Sequence, residues 1–281
     1  MEKKRARAMV VFIFTIGLIT AAMLWDNTQS AELGILQNSM RELKRVDNMQ
    51  FSYVSTARGA GVQTGDQIRI WSDQLSGCWA SEHYKTDEDG TRLYLKQFCD
   101  GNLVYNYIEW TGEWERQNTK DRELPYLDGI LSMPYDDGDI IDLVCNESED
   151  GTEISFGFTE EYIKKLSEER QKAVEQSYEN YLKMSGEVGN AENVELSVEQ
   201  YKRTREKDVK VIYHINEQDV LEGVACVISV VQPELVYNTD GQLELGKDRE
   251  YAYEIAITLE HYNQQGTLNR LEQCRNEIMY Q

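Results

Sequence analysis

The dipeptide Asp-Gly occurs six times in the chain: Asp89-Gly90, Asp100-Gly101, Asp128-Gly129, Asp137-Gly138, Asp150-Gly151 and Asp240-Gly241. A two-residue type I′ hairpin needs φ > 0 at both central positions, and Asp followed by Gly meets that need at low steric cost. Between alternating apolar runs, such turns commit neighbouring segments to antiparallel pairing. That pattern fills Asp66 to Asn118. Strand-like runs at Ile68–Ser72, Gly77–Lys85, Arg92–Cys99, Leu103–Trp110 and Glu113–Gln117 are separated by Asp89-Gly90, Asp100-Gly101 and Thr111-Gly112. The spacing predicts a β-meander. Ile140–Cys145 and Thr152–Phe158 predict a further hairpin around Asp150-Gly151, and the region near Pro125 and Pro134 predicts a short helical turn. The 17 Tyr and 5 Trp strengthen the strand reading, because aromatic side chains suit a pleated, half-buried surface.

Elsewhere the period is helical. Leu33, Leu36, Met40 and Leu43 share one face of a helix predicted over Ala31–Val46, with Ser30 as N-cap. Thr159 caps a second helix reaching about Ser185, whose stripe includes Tyr162, Ile163, Leu166 and Val174. Gly186–Asn193 reads as a polar connector. Strand alternation returns at Val209–Ile215 and Tyr251–Leu259, and Ala225–Val231 reads as a buried central strand. The type of the last segment, Thr267–Glu277, stays open. Gly59–Gly65 (GAGVQTG) predicts a loop; it lacks the Lys-Ser/Thr ending of a phosphate loop. The fold class expected is α+β: a mostly antiparallel sheet with packed helices, forming one domain over 31–281.

The N-terminus has a different character. Residues 1–8 carry Lys3, Lys4, Arg5 and Arg7, and Met9–Trp25 carries no charge. Seventeen residues at the helical rise span about 25 Å, the short end of a transmembrane helix. The basic flank predicts a cytoplasmic tail over 1–8, a signal anchor over 9–25 in the lipid bilayer, and an extracytoplasmic domain. A cleaved secretory signal is the alternative. Thr20/Ala22 and Thr28/Ser30 match its small-residue rule poorly. Either reading exports the domain.

A net charge of −21 argues against nucleic acid as a partner. His83, His214 and His261 lie far apart on strand-like runs, without metal-ligand spacing. Asp136–Asp139 and Asn146–Glu153 are read as turn residues, since neither has the spacing of a calcium loop. No catalytic motif is present, so no enzyme, cofactor or metal is expected. The meander aromatics Trp71, Trp79, Tyr94, Tyr105, Tyr107, Trp110 and Trp114 are candidates either for sheet core or for the lining of an apolar groove. Cys78 and Cys99 would face each other in a regular hairpin centred on Glu88-Asp89, close enough to form a disulfide.

The helix LGILQNSMRELKRV, the strand NMQFSYV and the meander containing YLKQFCDGNLVYNYIEWTGEWER follow an order similar to the LolA/LppX-like group of exported proteins, including RseB-like sensors. The resemblance implies an antiparallel half-barrel wrapped around helices, with acyl chains held in the hollow. It matches no ligand-contacting residue to a position in this chain. The two functional readings are a binding or sensing domain for a lipid or other apolar ligand, and an envelope protein-interaction module with a filled core. The topology has its own test. A reporter active only outside the membrane, fused after Gln281, is expected to work, and protease added to intact cells is expected to cut the domain. A domain protected in intact cells would contradict the expected orientation.

Overall fold

The computed structural model describes residues 31–59, 62–87, 90–108, 111–117, 135–185 and 191–280. The cytoplasmic tail, the expected membrane segment and the turn region near Pro125 lie outside them. The elements run α1 (Ala31–Leu43), β1 (Asn48–Gly59), β2 (Val62–Asp73), β3 (Cys78–Asp87), β4 (Gly90–Asp100), β5 (Val104–Ile108) and β6 (Glu113–Arg116). A 3₁₀ turn at Asp137–Asp139 leads into β7 (Ile140–Ser148) and β8 (Gly151–Phe158). Then come α2 (Glu160–Ser185), α3 (Ala191–Arg203), β9 (Arg205–Ile215), β10 (Leu221–Tyr237), β11 (Leu243–Tyr262) and α4 (Gln265–Met279).

Among the described residues the strands form one antiparallel sheet of eleven, in the order β6-β5-β4-β3-β2-β1-β11-β10-β9-β8-β7. Two meanders therefore meet where the first strand pairs with the last. The join runs from Met49↔Tyr262 to Gly59↔Tyr251. It is tied at its start by a backbone bond from Asn263 N–H to the Asn48 carbonyl (2.8 Å) and by Asp47 N–H donating to Asn263 Oδ1 (3.0 Å). Gly59 closes the other end because a Cβ there would stand 2.4 Å from the Tyr251 ring.

Alternation along the strands gives the sheet two distinct faces. On one, Met49, Phe51 and Tyr53 of β1 align with Ile70 and Ile68 of β2 and, across the join, with Leu259 and Ile257. The buried face of α1, from Leu33 to Leu43, belongs to the same core, as do Ile154, Phe156 and Phe158 of β8 and Tyr162 and Ile163 of α2. On the other face, Trp71, Cys78, Ala80 and Phe98 pack against Leu271 and Cys274 of α4. Each half of the sheet thus receives helices, but from opposite sides.

Three expectations change. Val62–Gly65, expected within a loop, belongs to β2, with Gly65 paired to Thr56 and Thr86. Ala191–Asn193, expected in a connector, begins helix α3. Ala225–Val231 is a central strand, but Ala225 and Val227 stay half-exposed on the face that α4 leaves open. The undecided last segment is α4, whose buried face is Thr267, Leu271 and Cys274.

A buried ion pair ties α2 to the start of β9, just past the end of α3. Arg170 Nε lies 2.5 Å from Glu206 Oε1, with both side chains 7% exposed. The same guanidinium donates to the carbonyls of Tyr201 (3.1 Å) and Thr204 (2.9 Å), and Gln171 donates to the Lys202 carbonyl (3.1 Å). Carbonyls at the end of α3, which no further helical turn can satisfy, are thus capped by α2. Breaking one member of such a pair strands a buried charge, whereas replacing both by apolar groups is far less costly. Arg170→Ala is expected to lower unfolding stability by about 3–5 kcal/mol. The double variant R170M/E206L is expected to lose much less. Urea denaturation of the three proteins checks this, and equal losses in the single and double variants would contradict it.

Candidate functional site

The meander aromatics do not gather on one face. Trp71 is buried under α4, donates its indole N–H to Gln50 Oε1 (3.0 Å) and lies 5.5 Å from the Arg270 guanidinium. Arg270 in turn pairs with Glu82. Tyr105 and Trp114 pack at the margin of that same cluster. Tyr107 meets Trp114 edge-on, with ring centres 5.5 Å apart, and Lys96 lies 5.1 Å from the Tyr107 ring. These four share a face. Trp79 occupies the other, buried with Cys99 and Val104. Tyr94 belongs to none of these buried clusters and is 41% exposed. Trp110 lies outside the described residues. The register thus groups four of the seven candidates near α4 and sets Trp79 on the opposite face.

Tyr94 also explains the cysteines. β3 and β4 pair regularly from Asp87↔Gly90 to Tyr84↔Leu93, but His83 pairs with Leu95, so Tyr94 is an extra residue in β4. This bulge shifts every later pair by one. Cys78 then faces Asp100, and Cys99 faces Trp79. The two sulfurs lie in different clusters on opposite faces, and all five cysteines are free thiols. The expected Cys78–Cys99 pairing is corrected accordingly. Cys78 Sγ instead accepts from Arg275 Nη2 at 3.3 Å.

Beside the bulge lies a polar group that sequence reading treated as ordinary strand. His83 is buried, its Nε2 3.0 Å from Ser81 Oγ, and the Tyr94 ring stands 6.0 Å from its own. Gln97 also bonds to His83, and Gln97 Nε2 donates to Asn106 Oδ1 at 3.0 Å. Burial lowers the imidazole pKa to about 4, opposed by the Gln97 bond. The residue therefore serves as a neutral hydrogen-bonding group in a closed environment. Burial also raises the carboxyl of Asp66, with Lys85 acting against it. A histidine in a half-buried strand gives no sequence signal that separates this role from a solvated one.

The acidic clusters serve turns. Asp139 N–H donates to the Asp136 carbonyl (2.9 Å), and the Asp139 carboxylate accepts from Asp136 N–H (3.0 Å). Gly151, at φ 131°, sits where a Cβ would lie 2.1 Å from the Ile215 carbonyl, so only glycine fits that hairpin corner.

The comparisons with known proteins add fold likeness alone. No family model matches the chain, and no curated protein matches it. Among solved structures, a DUF1329 family protein from Desulfovibrio piger is 8% identical, with 85% of this chain and 95% of that one covered, at a TM-score of 0.27. An uncharacterized conserved protein from Thermus thermophilus is 9% identical, covering 84% and 88%, at 0.28. A chain of the MucA/MucB complex from Pseudomonas aeruginosa is 9% identical, covering 85% and 95%, at 0.20. The LolA-like group named from the sequence is represented among these neighbours. At such TM-scores the likeness transfers no ligand, partner or residue role.

The His83 environment has a pH consequence. Its folded-state pKa of about 4 lies below the ordinary value of 6.5, so the unfolded chain binds the proton more readily. The stability is whole above pH 6.5 and falls as pH drops toward 4. At pH 5 the loss from this one group is about 2 kcal/mol. His83→Gln is expected to flatten the urea midpoint between pH 7.5 and 5 relative to the parent. An identical pH slope in both proteins would contradict the buried neutral imidazole.

Proposed function

We propose that the chain is a non-enzymatic, membrane-anchored protein-interaction module of the cell envelope, with its N-terminus in the cytoplasm and its β-rich domain outside. One observation carries this reading: among the described residues, α1 and α2 pack on one face of the sheet and α4 packs on the other over β2–β4, where an acyl carrier would keep a hollow. On the α1 side, the gap bordered by Leu43, Met49, Phe51, Leu221, Ile257 and Leu259 has a volume of about 10 Å³. That is at the lower limit for one water, whereas small-molecule sites run to roughly 300–1,000 Å³. On the other side, α4 lies directly on Trp71, Ala80 and Phe98.

The exported placement rests on the basic flank of residues 1–8 and the uncharged run Met9–Trp25. The non-enzymatic reading is supported by where polar groups are used. His83 is enclosed as a neutral bonding partner, and Asp136 and Asp139 hold a turn. The apolar-ligand reading places the meander aromatics, Trp79 and Tyr105 among them, around a hollow. Here both are packing residues on opposite faces.

The test is titration of the full-length chain with a fluorescent fatty-acyl probe, alongside native mass spectrometry for copurified lipid. No saturable one-to-one binding is expected. Trp79→Asp is expected to lower Tm, because it buries a carboxylate in a packed cluster. Saturable binding that Trp79→Asp abolishes at unchanged Tm would contradict the interaction reading and restore the carrier.

A further inference from the structure

β9 reaches β10 only as far as Val231, and β1 reaches β11 only as far as Tyr251. Beyond those residues, among the described residues, β10 and β11 pair with each other alone, up to Tyr237↔Leu243. The sheet therefore ends in a two-stranded arm roughly 20 Å long. A lone hairpin is marginally stable in water, and its outer rows of N–H and C=O groups are open to another strand.

The two edges of the arm differ. On the β10 side, Pro233 has no N–H, its carbonyl accepts from Gln200 Nε2 at 2.6 Å, and the register shifts between Pro233 and Leu235. That edge is blunted. On the β11 side, Leu243–Glu250 continues past the end of β1 at Gly59. A strand laid there would extend the place in the sheet that β1 vacates. The bond from Asn238 N–H to the Gln242 carbonyl (2.9 Å) sets the alternation. Leu243 and Leu245 then direct their N–H and C=O away from β10. Their side chains share one face of the arm with Leu235 and Tyr237, and Tyr237 is 59% exposed.

We propose that the Leu243–Glu250 edge is a docking site for an extended segment of a basic partner protein, which adds to the arm as a further strand. The proposal rests on the protein-interaction reading above. Charge selects the occupant. The arm carries Glu234, Asp240, Glu244, Asp248 and Glu250 against Lys247 and Arg249; Glu234, Asp248 and Glu250 pair with Arg249, Arg203 and Lys207, which leaves Asp240 and Glu244 as the acids outside these ion pairs, in a chain of net charge −21. A second copy would set like charge against like charge, whereas a cationic strand is attracted. Backbone bonds supply affinity that is tolerant of sequence, and the Leu–Tyr face supplies selectivity.

The probe is a fluorescein-labelled ten-residue peptide alternating Lys and Val, with an alternating Glu and Val peptide as control. Both are titrated against the full-length chain, and amide hydrogen exchange is read on the complex. The Lys–Val peptide is expected to bind and to slow exchange at Leu243 and Leu245, and the Glu–Val peptide is expected not to bind. Leu245→Pro removes an outward N–H without changing charge, and is expected to weaken binding about tenfold or more. Equal binding by Leu245→Pro at unchanged Tm would overturn the proposal, as would protection centred on β7. If Leu245→Pro proves unstable, the exchange pattern of the parent chain decides alone. A dimer without peptide that Leu245→Pro dissolves would assign the edge to a second copy and overturn the basic occupant. Protection on β7 would leave the interaction reading standing, whereas saturable acyl binding would remove that reading itself.

Discussion

The pairing of β1 with β11 is the contact on which the rest of the molecule depends. It joins segments whose tie at Asp47 and Asn263 spans 216 positions, and it converts two meanders into one sheet. Local hairpins close cheaply, but this join must repay the entropy of closing nearly the whole domain. It does so with an unbroken apolar row from Ile70 through Phe51 to Leu259, against which the buried face of α1 belongs. α4 follows directly from the end of β11, with Gln264 N–H donating to Asn48 Oδ1 at 3.0 Å. The same corner that joins the meanders therefore aims α4 across the opposite face.

Helix packing on the sheet has a functional consequence. A sheet that keeps a broad face for a ligand must leave that face unpacked, and among the described residues helices pack on one face of each half. What remains for recognition lies at the margins, where strands outrun their neighbours. The long β10–β11 hairpin is the clearest case, because its base is held by Gln200 and by the Arg203–Asp248 pair (3.3 Å) while no described strand pairs with its β11 edge beyond Tyr251. A rigid body with an exposed edge suits an interaction module better than a container.

Much of the fold was legible because its turns are local. Asp100-Gly101, Thr111-Gly112 and Asp150-Gly151 each need a positive φ at glycine, and the structure has 87°, 74° and 131° there. The elements that escaped reading are stabilised from a distance. Val194, Leu196 and Val198 alternate like a strand, yet α3 is helical because Arg170 and Gln171 cap its last carbonyls from α2. α4 has a narrow stripe in which Thr267 and Cys274 stand where larger apolar residues would announce a helix. At the candidate site, one extra residue decided the outcome. Spacing alone places Cys78 opposite Cys99, and the bulge at Tyr94 moves them to opposite faces. Nothing in the residues around Tyr94 marks a bulge, so neither the cysteine register nor the enclosure of His83 could be read in advance.

The central claim is that one cooperative sheet is closed by β1 and β11, with an arm standing free beyond the join. Native-state hydrogen exchange on the full-length chain tests it most directly. Amides of Phe51–Ala57 and Tyr253–Leu259 are expected to exchange most slowly, through the same global opening. Those of Leu235–Leu245 are expected to exchange orders of magnitude faster than those segments. If the two meanders exchange through separate openings, or if the arm is protected as strongly as the join, the account is wrong.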